Sequence, residues 1–323
     1  MTDATLEIYL SDDDLTAALR SDARLGLTAD PKWLPPKWFY DARGSELFER
    51  ITELPEYYPT RTERALLERV VGEIARTAQS EVLVELGAGS AAKTRLLLTA
   101  LTTEGPLKTY VPQDVSSSAL RAAADDIAAE FPGLAVHGVV SDFTDTLHNL
   151  PRGGRRMIAF LGGTIGNLVP DERAEFLASI HEVLEPGEQL LLGAGLVIDP
   201  AVLVPAYDDA AGVTAEFNRN VLHVLNNRLD ADFAPEKFEH IARWDAENEW
   251  IEMRLEATEA MTVHVRDLDL TVEFARGEQM RTEISAKFRL DGLTAELAAA
   301  GFRTEQTWTD PDNRFALVLA ARN

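Results

Sequence analysis

Short apolar runs punctuate the middle of the chain, and longer stretches with a helical alternation of apolar and polar residues separate them. The runs fall at 81–86, 107–111, 134–140, 156–161 and 189–197. The helical stretches fall at 93–101, 117–131 and 171–184. Runs that are apolar throughout suit strands buried on both faces. Strands alternating with helices predict a parallel sheet wound with helices on both sides.

Outside that region the rhythm changes. Short amphipathic helices are predicted at 15–25 and 44–54, around a Pro- and aromatic-rich segment, Pro31-Lys-Trp-Leu-Pro-Pro-Lys-Trp-Phe-Tyr40. A helix over 63–78 follows, with Thr60 or Thr62 as its cap. Beyond Pro200, residues 203–225 read as largely helical. Residues 250–257, 261–266 and 268–274 alternate as antiparallel strands, and 282–288 leads into a helix at 293–300. A hairpin closes around Thr309-Asp-Pro-Asp-Asn313. No flexible linker separates the two patterns, which predicts domains that interleave. The fold class is α/β, with a second α+β domain.

Composition narrows the possibilities. With 323 residues, 46% of them hydrophobic, the chain can bury one large or two modest cores. A net charge of -23 opposes binding to a phosphate backbone or an anionic membrane, so no nucleic acid or membrane partner is expected. The absence of cysteine excludes disulfides, thiolate catalysis and cysteine-held zinc, and no metal site is read. No apolar run reaches membrane-spanning length and the first residues lack a signal-peptide pattern, so a cytoplasmic protein is expected.

The chemistry starts at Val82-Leu-Val-Glu-Leu-Gly-Ala-Gly-Ser90. A buried strand, then Gly87 and Gly89, then a helix start make a nucleotide cradle. The third position of a dinucleotide fingerprint falls at Ala92, and Glu85 precedes the glycines. That E-x-G-x-G pattern resembles the first motif of Rossmann-like S-adenosylmethionine-dependent methyltransferases. In a parallel sheet, ligands sit at the carboxyl ends of the strands. Asp114 ends the second strand, where a carboxylate can accept ribose hydroxyls. Asp142 ends the third, where it can accept the adenine amine beside Phe143. Lys93 follows the glycine turn, within reach of the ligand's methionine carboxylate. Gly162-Gly-Thr-Ile-Gly-Asn167 ends the fourth strand, where Asn167 offers donor and acceptor. Each of these residues, taken alone, also suits an ordinary turn, cap or solvated helix face.

Longer motifs carry a more specific resemblance. They are Leu34-Pro-Pro-Lys-Trp-Phe-Tyr-Asp41, Leu54-Pro-Glu-Tyr-Tyr-Pro-Thr-Arg-Thr-Glu63, Val84-Glu-Leu-Gly-Ala-Gly89, Thr164-Ile-Gly-Asn167, the segment from Ala206 to Asn220, Ile251-Glu-Met253 and Thr282-Glu-Ile-Ser285. Over nearly its whole length the chain resembles the bacterial L-histidine Nα-methyltransferases, which make hercynine for ergothioneine. The resemblance implies a seven-stranded, Rossmann-like methyltransferase domain at 61–199 and 287–323. An amino-acid-binding domain would comprise 1–60 and 200–286.

By position, the resemblance places Gly87, Lys93, Asp114, Asp142 and Phe143 around S-adenosylmethionine, with S-adenosylhomocysteine as product. It places Asn167 and Tyr207 against the substrate carboxylate, and Tyr57 near the amine and imidazole. Glu283 and Ser285 would hold the imidazole as an acceptor pair. Phe48, Gly162, Thr214 and Met253 would line the pocket, and Tyr40 would sit beside the reacting amine. Tyr40 and Tyr57 are the candidate catalytic residues. The implied partners are L-histidine and its mono- and dimethylated intermediates, on a monomer. Three departures from the family's pattern touch the cofactor's surroundings: Gln113, Ala91-Ala92, and Ala194-Gly-Leu196 where a carboxylate is expected.

The same chemistry on another amino acid, such as tryptophan, is the nearest alternative, although Glu283 and Ser285 suit an imidazole better than an indole. A non-catalytic S-adenosylmethionine-binding protein is a second, and a dinucleotide oxidoreductase a third.

Overall fold

The computed structural model describes residues 4–89, 93–143 and 147–323. The chain divides into two compact units. The first comprises Met1–Ser11, Arg61–Leu196 and Phe288–Asn323; the second comprises Asp12–Thr60 and Val197–Lys287.

The first unit starts with β1 (Thr5–Ile8), β2 (Val82–Leu86), β3 (Thr109–Asp114), β4 (Ala135–Val140), β5 (Arg156–Phe160) and β6 (Gln189–Gly195). The chain then builds the second unit's β7 (Phe238–Asp245), β8 (Trp250–Ala257), β9 (Met261–Val265), β10 (Leu270–Phe274) and β11 (Gln279–Ala286). It returns to the first unit for β12 (Phe302–Thr309) and β13 (Phe315–Arg322).

The first unit's strands form one sheet in the order β1-β4-β3-β2-β5-β6-β13-β12. Pairing is parallel from β1 to β6, and β13 and β12 complete the sheet antiparallel. Strand order reverses between β2 and β5, which is where a doubly wound sheet opens a crevice. Every residue of β2, β5 and β6 is buried, the polar Glu85, Arg156 and Gln189 along with their apolar neighbours.

The sheet has eight strands, one more than expected. Residues 5–8 had been assigned to the other domain, but they pair with β4 as an exposed edge strand. The third helix also differs. It spans Tyr58–Ala78, so Thr60 and Thr62 lie inside it rather than capping it. Pro59 is tolerated there because a first-turn residue needs no intrahelical N–H bond. Ala91 and Ala92 lie outside the described residues.

The second unit packs helices Asp12–Thr28, Ala42–Thr52, Pro200–Tyr207 and Val213–Leu229 with a three-stranded sheet, β11-β8-β7, and the hairpin β9-β10. Its core gathers Phe39, Phe217, Val221, Leu225, Phe238, Phe274 and Met280. The helix expected at 203–225 is two helices. Asp208–Gly212 breaks it, and Asp209 accepts from the N–H groups of Val213 (3.0 Å) and Thr214 (2.7 Å), capping the second. Those bonds hold the Asp209 carboxyl below its ordinary range although burial opposes them. Strand β7 had no counterpart in the sequence reading. In β11 the register against β8 shifts between Arg281 and Glu283, and this bulge fixes which face Glu283 presents.

Candidate active site

Two groups of predicted residues assemble, one in each unit. The first surrounds the carboxyl ends of β2, β3 and β4. After β2 the backbone turns left-handed at Gly87 (φ 69°) and Gly89 (φ 49°). An added methyl group at Gly89 would meet nothing within 4 Å, so this turn is open. The N–H groups of Gly87 and Ala88 donate to the Gln113 carbonyl at 2.9 and 3.2 Å, tying the turn to β3.

Glu85 is buried beneath the turn. Its Oε2 accepts from Thr94 Oγ1 and Tyr110 Oη, both at 2.6 Å, so it joins β2 to the following helix and to β3. Burial pushes its carboxyl up despite those bonds. Asp114 ends β3, accepting from Gly89 N (3.4 Å) and Ser116 N (3.0 Å). Burial raises this carboxyl too, against the pull of those N–H groups. Ser141 N donates to the Asp114 carbonyl at 3.1 Å, which sets Asp142 and Phe143 beside the same strand end. Phe143 packs edge-on against Phe160 at 5.2 Å and Phe176 at 5.8 Å. Gln113, a departure from the family's pattern, is fully buried and donates from Nε2 to the carbonyl of Ser141 and, at 3.1 Å, to its hydroxyl.

Lys93 is held by Glu63 in a hydrogen-bonded ion pair. Glu63 is completely buried, and its other oxygen accepts from Gly162 N at 2.7 Å. One carboxylate therefore joins the helix at 58–78, Lys93 and the turn after β5. A methyl group on Gly193 would lie 2.3 Å from Glu63 Oε1, so β6 must have glycine there for Glu63 to fit. Sequence reasoning gave Glu63 no role; its signal was its place at the end of the Leu54–Glu63 motif. Asn167 ends the short turn Thr164–Asn167, part-buried after β5.

The second group lines one face of the other unit. Tyr40 meets Phe48 edge-on at 5.6 Å, Phe48 meets Tyr57 at 6.2 Å, and Tyr57 meets Tyr207 at 6.1 Å. Phe217, which sequence reasoning missed, contacts Tyr40 at 5.4 Å and Phe48 at 5.9 Å. It stands one helical turn after the predicted Thr214, inside the Ala206–Asn220 motif, and those two facts are the hint the sequence carried. Met253 on β8 faces Glu283 on β11 across the ladder.

Beside them, Tyr207 Oη and Ser285 Oγ share a hydrogen bond of 2.8 Å. Lys287 Nζ donates to both, each at 2.7 Å, and sits 4.8 Å from the centre of the Tyr207 ring. Burial pulls the Lys287 ammonium below its ordinary range, with Tyr58 and Glu283 opposing.

Electrostatics bind this group together. Burial and neighbouring Tyr207 push the Tyr57 phenol well up, and Glu283 adds to the shift. Burial and Glu283 likewise raise Tyr40 and Tyr207. All three phenols stay protonated at neutral pH, so none is a phenolate base. Beneath Tyr207, His240 Nε2 lies 2.8 Å from its carbonyl and His240 Nδ1 lies 2.8 Å from Asn218 Nδ2. Burial holds His240 below its ordinary range and hence neutral. Asn218 also accepts from Thr282 Oγ1 at 2.6 Å, which braces the bulge next to Glu283.

Among the described residues, no group of three or more His, Asp or Glu is placed to hold a metal ion, and no helix is long and apolar enough to cross a membrane.

Comparison with known proteins adds a family. A family profile described as "Histidine-specific methyltransferase, SAM-dependent" matches residues 19–322. The chain is 53% identical over 318 residues to a protein of Mycolicibacterium smegmatis named histidine N-alpha-methyltransferase, covering 98% of this chain and 99% of that one. It is 30% identical over 302 residues to ergothioneine biosynthesis protein 1 of Neurospora crassa, covering 91% of this chain and 33% of that longer one. Among solved structures, an S-adenosylmethionine-dependent methyltransferase from Clostridium acetobutylicum superposes with a TM-score of 0.50 at 11% identity. That match covers 86% of this chain and 98% of that one, and it speaks to the fold.

Proposed function

The chain belongs to the histidine-specific, S-adenosylmethionine-dependent methyltransferases, and we propose that it methylates the α-amino group of L-histidine three times, forming hercynine in the first step of ergothioneine biosynthesis. One observation supports this reading most: Glu283, Ser285 and Tyr207 stand with Met253 beside the aromatic row Tyr40, Phe48, Tyr57 and Phe217. Such a surface offers a carboxylate and hydroxyls for a polar ring, and aromatic faces for an amine that becomes a quaternary ammonium.

The residues of the first unit fit S-adenosylmethionine. The turn at Gly89 is open, and the buried Asp114 beside it can accept hydroxyl donors. Gly87, Asp114, Asp142 and Phe143 would hold the cofactor. Lys93 would face its carboxylate while anchored on Glu63. When bound, S-adenosylmethionine supplies a methyl group activated by its sulfonium.

Everything else falls to the chain's side chains. An amine attacks only when neutral, and an α-amino group has a pKa of about 7.7–8.0 in peptides. Tyr40 and Tyr57, held protonated, cannot remove its proton as phenolates; their oxygens accept its N–H and aim the lone pair. The proton leaves to water. Little new charge develops, so positioning carries the rate. Asn167 and Tyr207 would take the substrate carboxylate, Glu283 and Ser285 the imidazole, and Phe48, Gly162, Thr214 and Met253 would shape the pocket. Mono- and dimethylated histidine are the intermediates, and the same reading takes the working form to be a cytoplasmic monomer.

The test is incubation with S-adenosylmethionine and each common amino acid, followed by mass spectrometry. Mono-, di- and trimethylated histidine are the expected products. Faster methylation of tryptophan, or no methylation of any amino acid, overturns the reading.

A further inference from the structure

Lys287 is absent from the roles given so far, and its surroundings are unusual. It follows β11 directly. Strand alternation puts residues two and four positions apart on one face, so Lys287 extends the line of Glu283 and Ser285. It is buried, with 7% of its surface exposed, and its two hydrogen bonds go to hydroxyls, Tyr207 Oη and Ser285 Oγ. A buried ammonium is costly to keep. Around it stand Glu283 and Ser285 on its own strand line, Tyr207 from the helix at 200–207, and Tyr58.

The hydrogen-bond inventory of this triad has a consequence. A lysine ammonium donates and never accepts. It therefore occupies one lone pair on each hydroxyl oxygen. Tyr207 and Ser285 also bond each other, which uses one of their two hydroxyl hydrogens. The other hydrogen has no acceptor within the triad and must point out of it. Whichever way the pair is arranged, it presents one O–H donor to a ligand, from Ser285 in one arrangement and from Tyr207 in the other.

We propose that Lys287 is a positioning residue that makes the Tyr207–Ser285 pair an obligate donor, so that the pocket reads imidazole as a neutral ring. A neutral imidazole has one N–H and one bare nitrogen. Glu283 accepts from the first; Ser285, whose oxygen takes the Tyr207 hydrogen and a Lys287 donor, gives its own hydrogen to the second, which leaves the substrate carboxylate to Asn167 rather than to Tyr207. This replaces the expected acceptor pair, Glu283 with Ser285, by an acceptor and a donor. An indole, with a single N–H and no bare ring nitrogen, leaves the donor unmatched. The proposal rests on the histidine reading above and adds the polarity of the hydroxyl pair.

Lys287→Met keeps an unbranched side chain one atom shorter and removes its donors. At pH 8 the variant should show a histidine KM at least tenfold higher than wild type. Its kcat should stay within about threefold, and its S-adenosylhomocysteine Kd within about twofold. The ratio of variant to wild-type KM should shrink between pH 8 and pH 6. Below the imidazole's ordinary range, roughly pH 6.5, the substrate carries two N–H groups, which freed hydroxyl oxygens can accept and the wild-type donor cannot. In a Ser285→Ala background, Lys287→Met should add no more than about twofold. Lys287→Gln, which restores one donor group, should recover part of the KM. A KM ratio near one, a ratio that does not change with pH, or parallel loss of cofactor binding would each overturn the proposal. If wild type leaves histidine unmethylated, the parent reading fails and takes this one with it. Wild-type turnover with an unaffected Lys287→Met variant defeats this one alone.

Discussion

The group at the carboxyl ends of β2, β3 and β4, proposed for the cofactor, is shaped by backbone, and the group around Tyr207 and Glu283, proposed for the substrate, is shaped by side chains. Around Gly87, Gly89 and Asp114, the turn is fixed by main-chain N–H groups donating to Gln113 and Asp114, and its glycines keep it open. Around Tyr207 and Glu283, the surface consists of aromatic rings, hydroxyls and one ammonium projecting from the helices and β11. Backbone recognition is tolerant of sequence but demands glycine at set places. Side-chain recognition is selective and can be altered one residue at a time. Under the proposed roles, the first group suits a constant ligand, and the second is where acceptor choice would reside.

Glu283→Ala tests that division most severely. It should lower kcat/KM for histidine by about 100-fold, since loss of a hydrogen-bonded charge costs about 1.5–3 kcal/mol, while S-adenosylhomocysteine affinity by calorimetry stays within about twofold. Equal losses in both would erase the division. Asp114→Ala is the mirror experiment. Cofactor affinity should fall by about 30-fold on the same scale, with histidine KM at saturating cofactor little changed; unchanged cofactor affinity would contradict the role given to the strand ends.

Smaller effects sharpen the contrast. Gly193→Ala brings a methyl group within 2.3 Å of Glu63 Oε1 and should destabilise the first unit by about 1–3 kcal/mol, read as a lower melting temperature. The acid response of the two units should differ in sign. His240 is depressed, so between its folded pKa and about 6.5 the unfolded chain binds more protons, and stability is lost as pH falls through that window. The depressed Asp209 and Glu252 carboxyls act the same way at lower pH. Glu85 and Asp114 are raised, so the folded state binds more protons above their ordinary pKa values, and stability grows as pH falls toward them. Hydrogen exchange at pH 5.0 and 7.5, corrected for intrinsic rates, should show protection falling in Val213–Leu229 and Phe238–Asp245 relative to Val82–Leu86 and Thr109–Asp114. A uniform change would remove the asymmetry.

The same contrast explains what could be read from the sequence. The cradle is contiguous: Val82 to Gly89 carries strand, turn and acid in one run, and Asp114 and Asp142 mark the next strand ends. Buried parallel strands announce themselves as apolar runs. Exposed or half-exposed strands do not. Thr5–Ile8 is an exposed edge, and Phe238–Asp245 buries fully only Phe238, so neither gave a clear signal. The break at Asp208–Gly212 was hidden because apolar residues continue on both sides, and only the cap on Asp209 reveals it. In the substrate group, the long motifs named Tyr57, Tyr207, Glu283 and Ser285. Phe217 and Asn218 lie inside the Ala206–Asn220 motif without a role being read for them, and Lys287 lies outside every motif; the importance of all three arises from partners far away in the chain. The bulge at Thr282 lies beyond any periodicity argument, because one inserted residue reverses the face of everything after it.

The position of β13 has a consequence for biogenesis. It lies inside the sheet, between β6 and β12, yet it is the last strand in chain order. A growing polypeptide leaving the ribosome thus exposes the apolar edge of β6 throughout synthesis of Val197–Lys287, the larger part of the second unit. The gap that Phe315–Arg322 fills stays open until translation has passed them. Assembly of the first unit's sheet is thereby deferred until the second unit has been made, and the edge of β6 is the surface on which a chaperone, or an aggregating neighbour, would first act.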